Sequence, residues 1–238
     1  MRAKEFLSRR KIDHVVIDVL NDPGGREQLL KLGIRNVPVV AKGENYVFGQ
    51  NLEDVAEFVG LQGTGHKPLP ASELLKKWVM VLRAIQRYMR QMPAERINEN
   101  VIENRQRSIR LLGHHAIRIA EAYLETAENG VEYSIGHANV PPVDGTFLTG
   151  PEIAGYGEEV IKRLQRWWDG LPDKSLAWKI KTYYGMQPMA QVFERSTWHS
   201  AQHSRQLAHV LERMGITPEG KLTPQDLAGL PLPERLFE

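Results

Sequence analysis

The sequence predicts an α+β protein of two units, a short α/β module followed by an up-and-down four-helix bundle. Three observations lead there. Up to Gly60 short helix-like and strand-like stretches alternate. Residues 62–71 are rich in Gly and Pro and have no periodicity. From Ser72 onward, long stretches repeat apolar residues every three to four positions. The expected units are 1–61 and 72–238, with a linker at 62–71.

In the first unit, Ala3 to Arg10 fits a helix. The β-branched run "HVVIDV", His14 to Val19, reads as a buried strand. "NDPGGREQLLKLGI" opens a helix with Asn21 or Asp22 as its cap and closes it at Gly33. "NVPVVAKGENYVFG" reads as a hairpin turning around Gly43 to Asn45, and Leu52 to Gly60 is a last short helix.

This order, with Val37-Pro38 in "IRNVPVV" and the closing "GENYVFGQNLEDVAEFVG", resembles a glutaredoxin-like thioredoxin fold. The resemblance implies a cis proline at Pro38 and an edge at Val37 and Pro38 where that fold takes up thiol peptides. A trans proline opening an edge strand is the other reading of Pro38. The family begins with a strand and a CxxC helix start, whereas this chain begins at "MRAKEF", inside the corresponding helix. The module is therefore expected to be truncated, its sheet interrupted at the centre, unless another segment or a partner's strand fills the gap.

In the second unit, Ser72 with Glu73 is expected to cap a helix reaching about Met92, with Leu74, Leu75, Trp78, Leu82, Ile85 and Met89 on one stripe. A second helix is expected over Asn98 to Glu128, a third from Pro151 to the "WWDGLP" stretch, and a fourth from Gln187 to Met214. Four such helices each need a partner for one face, which implies a bundle. The long loop "NGVEYSIGHANVPPVDGTFLTG" separates the second helix from the third, and the proline-rich tail after Gly215 is expected to pack across the bundle.

Composition excludes several functions. The chain has 238 residues, 42% apolar and 25% charged, with a net charge of +2. That near-balance gives no electrostatic case for nucleic acid, and no apolar run approaches a membrane span. A cytoplasmic protein acting on a small molecule is expected. There is no cysteine, so disulfides, thiol nucleophiles, CxxC redox chemistry and thiolate metal sites are excluded, and a metal must be held by His, Asp or Glu.

Eight histidines are present. In "STWHSAQHSRQL", His199 and His203 stand four positions apart, which on a helix puts both imidazoles on one face about 6 Å apart. Val192, Ser196, Gln206 and Val210 continue that stripe toward apolar positions, the inward side of a bundle. The second helix offers a third ring in "LLGHHAIRIAEAYLE". Successive helical positions differ by about 100°, so only one of the adjacent pair points squarely inward. His115 shares a face with Ile119 and Ala122 and is taken as the inward one, with His114 as its alternative and otherwise a solvated rim residue.

"HHAIRIAEAYL" followed much later by "RSTWHSAQHSRQL" resembles the DinB-like superfamily of four-helix bundles. The resemblance implies a divalent metal, zinc or nickel, on His115, His199 and His203. It also implies transfer or isomerisation chemistry with a low-molecular-weight thiol such as glutathione, and a bundle that often pairs as a homodimer. An open three-histidine site suits catalysis better than structure. Gln206 could orient a ligand; Arg195 and Arg205 could hold a substrate carboxylate. Tyr183 and Tyr184 fit the site's mouth, Trp198 the core, and His137 is left outside the site. A non-catalytic metal-binding or docking protein and a metal-dependent hydrolase are the alternatives to an S-transferase or isomerase.

Overall fold

The computed structural model describes residues 2–19, 21–102 and 106–237. The chain forms two compact units, one up to Lys67 joined by Pro233–Leu236, the other Pro68–Leu232 with Phe237.

The first unit holds helix α1 (Arg2–Arg9), helix α2 (Pro23–Lys31), strands β1 (Val39–Lys42) and β2 (Asn45–Phe48), and helix α3 (Leu52–Phe58). Asp22 caps α2 by accepting from the Gly25 N–H, and Pro23 follows where a missing N–H costs nothing. The hairpin is antiparallel, with Val39 opposite Phe48 and Lys42 opposite Asn45. The Val37–Pro38 peptide is cis. Residues 14–19 do not form the buried strand that their β-branched run suggests. They pair with no strand among the described residues, and Val15 is 87% exposed. A β-branched run becomes a strand only when a neighbour takes its N–H and C=O groups. In this unit the only sheet among the described residues is the β1–β2 hairpin.

The second unit is a helical bundle. Its long helices are α4 (Ala71–Gln91), α5 (Ile109–Asn129), α7 (Gly150–Gly170) and α8 (Met189–Arg213), with a short helix α6 (Ile135–Ala138) and a hairpin of β3 (Lys179–Thr182) and β4 (Gly185–Pro188) between them. Both α4 and α5 pack principally on α7 and α8. The order around the bundle is therefore α4, α7, α5, α8, and the expected up-and-down succession of neighbours is not observed. The connections 92–108 and 171–188 are long enough to cross a diagonal, where loops of a few residues would force consecutive helices together.

Two other expectations are corrected. Pro70, not Ser72, is the N-cap of α4, and it makes no side-chain cap bond. The second helix starts at Ile109, capped by Ser108 (part of the expected span, 103–105, lies outside the described residues). Ahead of it the chain is tied back on itself by an Asn100–Ser108 bridge and a Val101 N–H to Arg107 C=O bond of 3.0 Å. Tyr183 and Tyr184, ahead of the fourth helix, form the turn of the β3–β4 hairpin.

Of the expected stripe, Leu74, Trp78, Leu82, Ile85 and Met89 are buried, while Leu75 is half-buried at its edge. Trp78, Tyr123 and Phe193, from α4, α5 and α8, meet edge-on or tilted at centroid distances of 5.1–5.4 Å. The tail crosses α4. Arg87 donates to the Glu219 and Gly220 carbonyls, Lys77 to that of Asp226, and the Tyr88 hydroxyl accepts from the Leu222 N–H.

Close approach of α7 to α4 depends on Gly150. A Cβ there would stand 1.9 Å from the Met89 carbonyl oxygen, which is backbone and cannot yield. At Gly113 the obstacle is the flexible end of the Met89 side chain. Gly150→Ala is expected to lower stability by roughly 1–3 kcal/mol. Gly113→Ala should cost clearly less, because Ala gains about 0.5–1 kcal/mol over Gly inside a helix. Urea unfolding midpoints of the two variants check the order.

Candidate metal centre

The face of α5 that carries His115 meets the face of α8 that carries His199 and His203. Their register is held one residue away from the rings. The Trp78 indole N–H donates to the Ser200 hydroxyl at 3.0 Å, and that hydroxyl donates to the Ala116 carbonyl at 2.9 Å. Ser200 follows His199 and Ala116 follows His115 in the chain, so one buried hydroxyl fixes both neighbours.

The three imidazoles converge. Ring centroids lie 5.5 Å apart for His115 and His199, 5.0 Å for His115 and His203, and 4.8 Å for His199 and His203. One nitrogen from each ring falls within 4.8 Å of the others, a set that could hold a metal ion. The His199 Nδ1 and His203 Nε2 atoms are buried with no hydrogen-bond partner. Leaving such atoms unmet costs about 1–3 kcal/mol each, which a bound cation would offset. The other nitrogen of His203, Nδ1, lies 2.7 Å from the Gln206 Oε1. An amide oxygen only accepts, so the proton sits on Nδ1 and the Nε2 lone pair faces the cluster. A ring N–H of His115 likewise faces the Ala138 carbonyl on α6.

Electrostatics keeps these rings neutral. Burial pushes His203 down to about 3, and the nearby Arg107 charge adds to that. Burial also takes His115 and His199 well below the ordinary imidazole value, followed by His203 and, for His199, by His115 and Arg195. Neutral imidazole is the form that binds metal.

His114 is not at a solvated rim. It is buried, stacked on Tyr156 at 5.3 Å and set against Phe147 at 5.2 Å, and burial lowers it to about 4. It lies away from the cluster because α5 buries two faces, one on α7 and one on α8.

Arg195 does not open toward the cluster as a free carboxylate clamp. Its guanidinium stands 5.8 Å from the Tyr133 and Tyr184 ring centres and donates to the Tyr183 hydroxyl at 3.2 Å. Arg205 donates to the Gln202 side chain at 2.7 Å. Trp198 is half-buried against the core. In the first unit, the Val37 carbonyl accepts from the Gln50 side chain at 3.1 Å, and Val37 is 40% exposed.

Sequence reasoning missed a polar network that anchors α6. Arg118 is buried and grips Glu125 with two bonds of 2.7–2.8 Å, and it donates to Glu121 at 2.8 Å and to the His137 carbonyl at 3.3 Å. His137 pairs with Glu125 through Nε2, and Tyr156 donates to Glu121 at 2.6 Å. The network holds α6 against α5, and α6 carries the Ala138 carbonyl that faces His115. Its signal was the spacing Arg118, Glu121, Glu125 on one helix face.

The family model for glutaredoxin matches residues 1–47, about a fifth of the chain, spanning α1, α2, β1 and part of β2. No curated protein and no solved structure matches the chain. Among the described residues no helix is long and apolar enough to cross a membrane.

The depressed histidines give a pH dependence. Between their low folded values and about 6.5 the unfolded chain binds more protons than the folded one, so stability rises with pH there. The metal-free protein is expected to lose stability as pH falls below about 6.5, with a slope up to about 1.4 kcal/mol per pH unit for each such histidine. Urea midpoints between pH 8 and 5 measure it, and replacing His115, His199 and His203 together by Gln should flatten the profile.

Proposed function

We propose that this chain is a DinB-like metal protein carrying out thiol-linked group transfer or isomerisation of a small molecule. Its divalent ion, zinc or nickel, would be held by His115, His199 and His203. The observation that carries the reading is the convergence of three neutral imidazoles from α5 and α8, two of them with buried, unmet nitrogens. The "HHAIRIAEAYL" and "RSTWHSAQHSRQL" motifs are the residues that the DinB-like resemblance rests on.

A divalent ion there supplies Lewis acidity that favours the deprotonated form of a bound thiol or water near neutral pH. The protein's own residues do the positioning. Gln206 fixes the His203 tautomer, Ala138 orients His115, and the Ser200 bonds hold the two helices in register. With no cysteine in the chain, the thiol must arrive as a ligand. The glutaredoxin match favours a thiol over water as that ligand, because that family's fold handles thiol peptides. A plain metal-dependent hydrolase is the alternative, and thiol dependence of turnover separates the two.

The purified protein is expected to carry one divalent ion per chain, and the double substitution His199→Ala, His203→Ala should abolish it. Gln206→Leu should weaken metal binding about 10–100-fold without removing a ligand. Turnover across a substrate panel should require added glutathione or a related thiol. Unchanged metal content in the double variant would end the site assignment. Turnover that ignores thiol would favour the hydrolase, and metal without turnover a binding role.

A further inference from the structure

Beside the three-histidine cluster is a cavity of about 230 Å³, lined both by His115 and by its neighbour His114. His114 is only 5% exposed, yet among the described residues nothing hydrogen-bonds its ring. Its nitrogens are not sealed inside the protein either. The enclosed, unmet ring nitrogens among the described residues are those of His137, His199 and His203. A side chain this buried, whose nitrogens keep an opening, presents them to the cavity that it lines. The ring is also held at a fixed tilt. It stacks on Tyr156 at 5.3 Å, with 14° between the planes, and Phe147 packs against it at 5.2 Å. Both supports are themselves braced. The Tyr156 hydroxyl donates to Glu121 at 2.6 Å, and Arg110 donates at 3.0 Å to the carbonyl of Thr146, next to Phe147. Phe147 lies in the left-handed backbone region at φ +51°, where a bulky side chain is an outlier. Such conformations persist where the surroundings impose them, and they gather around groups that hold ligands.

We infer that His114 is a ligand-contacting residue, whose ring hydrogen-bonds a hydroxyl group on the molecule that the metal site takes up. The inference rests on the metal reading above and adds the chemical class of what lies beside the reacting donor. An imidazole set among aromatic rings offers one N–H and one lone pair. A hydroxyl both donates and accepts, so it meets either nitrogen in either tautomer, whereas a carbonyl meets only the N–H. Leu111, Pro141 and Pro142 give the rest of the wall apolar surface, which leaves less water to compete for the bond. The His114 ring stands off from the three imidazoles, so it touches what extends from the metal and is no fourth ligand. At about 230 Å³ the cavity is smaller than the ~300–1,000 Å³ that encloses a drug-sized molecule, so it suits one short hydroxyl-bearing arm.

The test uses the full chain loaded with cobalt(II) and reads ligand binding from the cobalt absorption spectrum. The probes are 2-mercaptoethanol, 3-mercapto-1-propanol and 4-mercapto-1-butanol. Each is compared with the alkanethiol that carries a methyl in place of the hydroxyl, with affinities corrected for each thiol's own acidity. At one chain length the mercaptoalcohol should bind the more tightly, although water favours its hydroxyl and burial favours the methyl. His114→Phe keeps an aromatic ring in place and should lower that hydroxyl-to-methyl ratio about fivefold or more. His114→Gln, which can still hydrogen-bond, should partly keep it. Cobalt uptake should be unchanged in both variants, because neither removes a ligand. Three results overturn the inference and leave a metal site standing: alkanethiols preferred at every length, a hydroxyl preference that His114→Phe leaves intact, or cobalt lost from a folded His114→Phe. The first of these is read in the unaltered chain, so the test survives a variant that fails to fold. A chain that takes up no cobalt removes the metal reading, one whose cobalt spectrum no thiol alters removes the thiol reading, and either removes this inference with it.

Discussion

The hydroxyl of Ser200 is the contact on which the site depends. It accepts from Trp78 on α4 and donates to the Ala116 carbonyl on α5 while belonging to α8. Three helices are thereby fixed to one another inside the core, where hydrogen bonds have no competing water and an unmet partner is costly. The interior of the bundle is otherwise largely aliphatic and aromatic, and such contacts carry little direction of their own. The Ser200 hydroxyl adds a directional bond. It does so beside His115 and His199, so the geometry of the cluster follows from the register of the bundle.

Positive charge bears on the site so formed. Arg107 and Arg195 both act on the imidazoles, while Glu121 and Glu125 on α5 are taken up by Arg118, His137 and Tyr156. Burial and positive charge act in the same direction on the three rings, holding them neutral and ready as ligands.

How much of this could be read from the residues differs by element. The α4 stripe and the His199–His203 spacing report a helical period directly, and the inward side of α8 follows from Ser196 and Val210 on the same face. Choosing between His114 and His115 assumed one buried face for α5. Both are buried, because α5 lies between α7 and α8, and a single sequence does not reveal the order of helices around a bundle. Ile97, Val101 and Ile102 imitate a helical repeat although the chain there doubles back. The β3–β4 hairpin turns on Tyr183 and Tyr184, and its one turn signal is the glycine that follows them, Gly185 at φ +108°. The "HVVIDV" run shows strand preference but has no strand to pair with among the described residues.

The central claim is that His115, His199 and His203 bind one ion together. X-ray absorption at the metal edge of the loaded protein tests it most directly. The expected spectrum has three nitrogen neighbours at about 2.0–2.1 Å with the outer-shell pattern of imidazole rings. A shell made only of oxygen, or one containing a single imidazole, would contradict it.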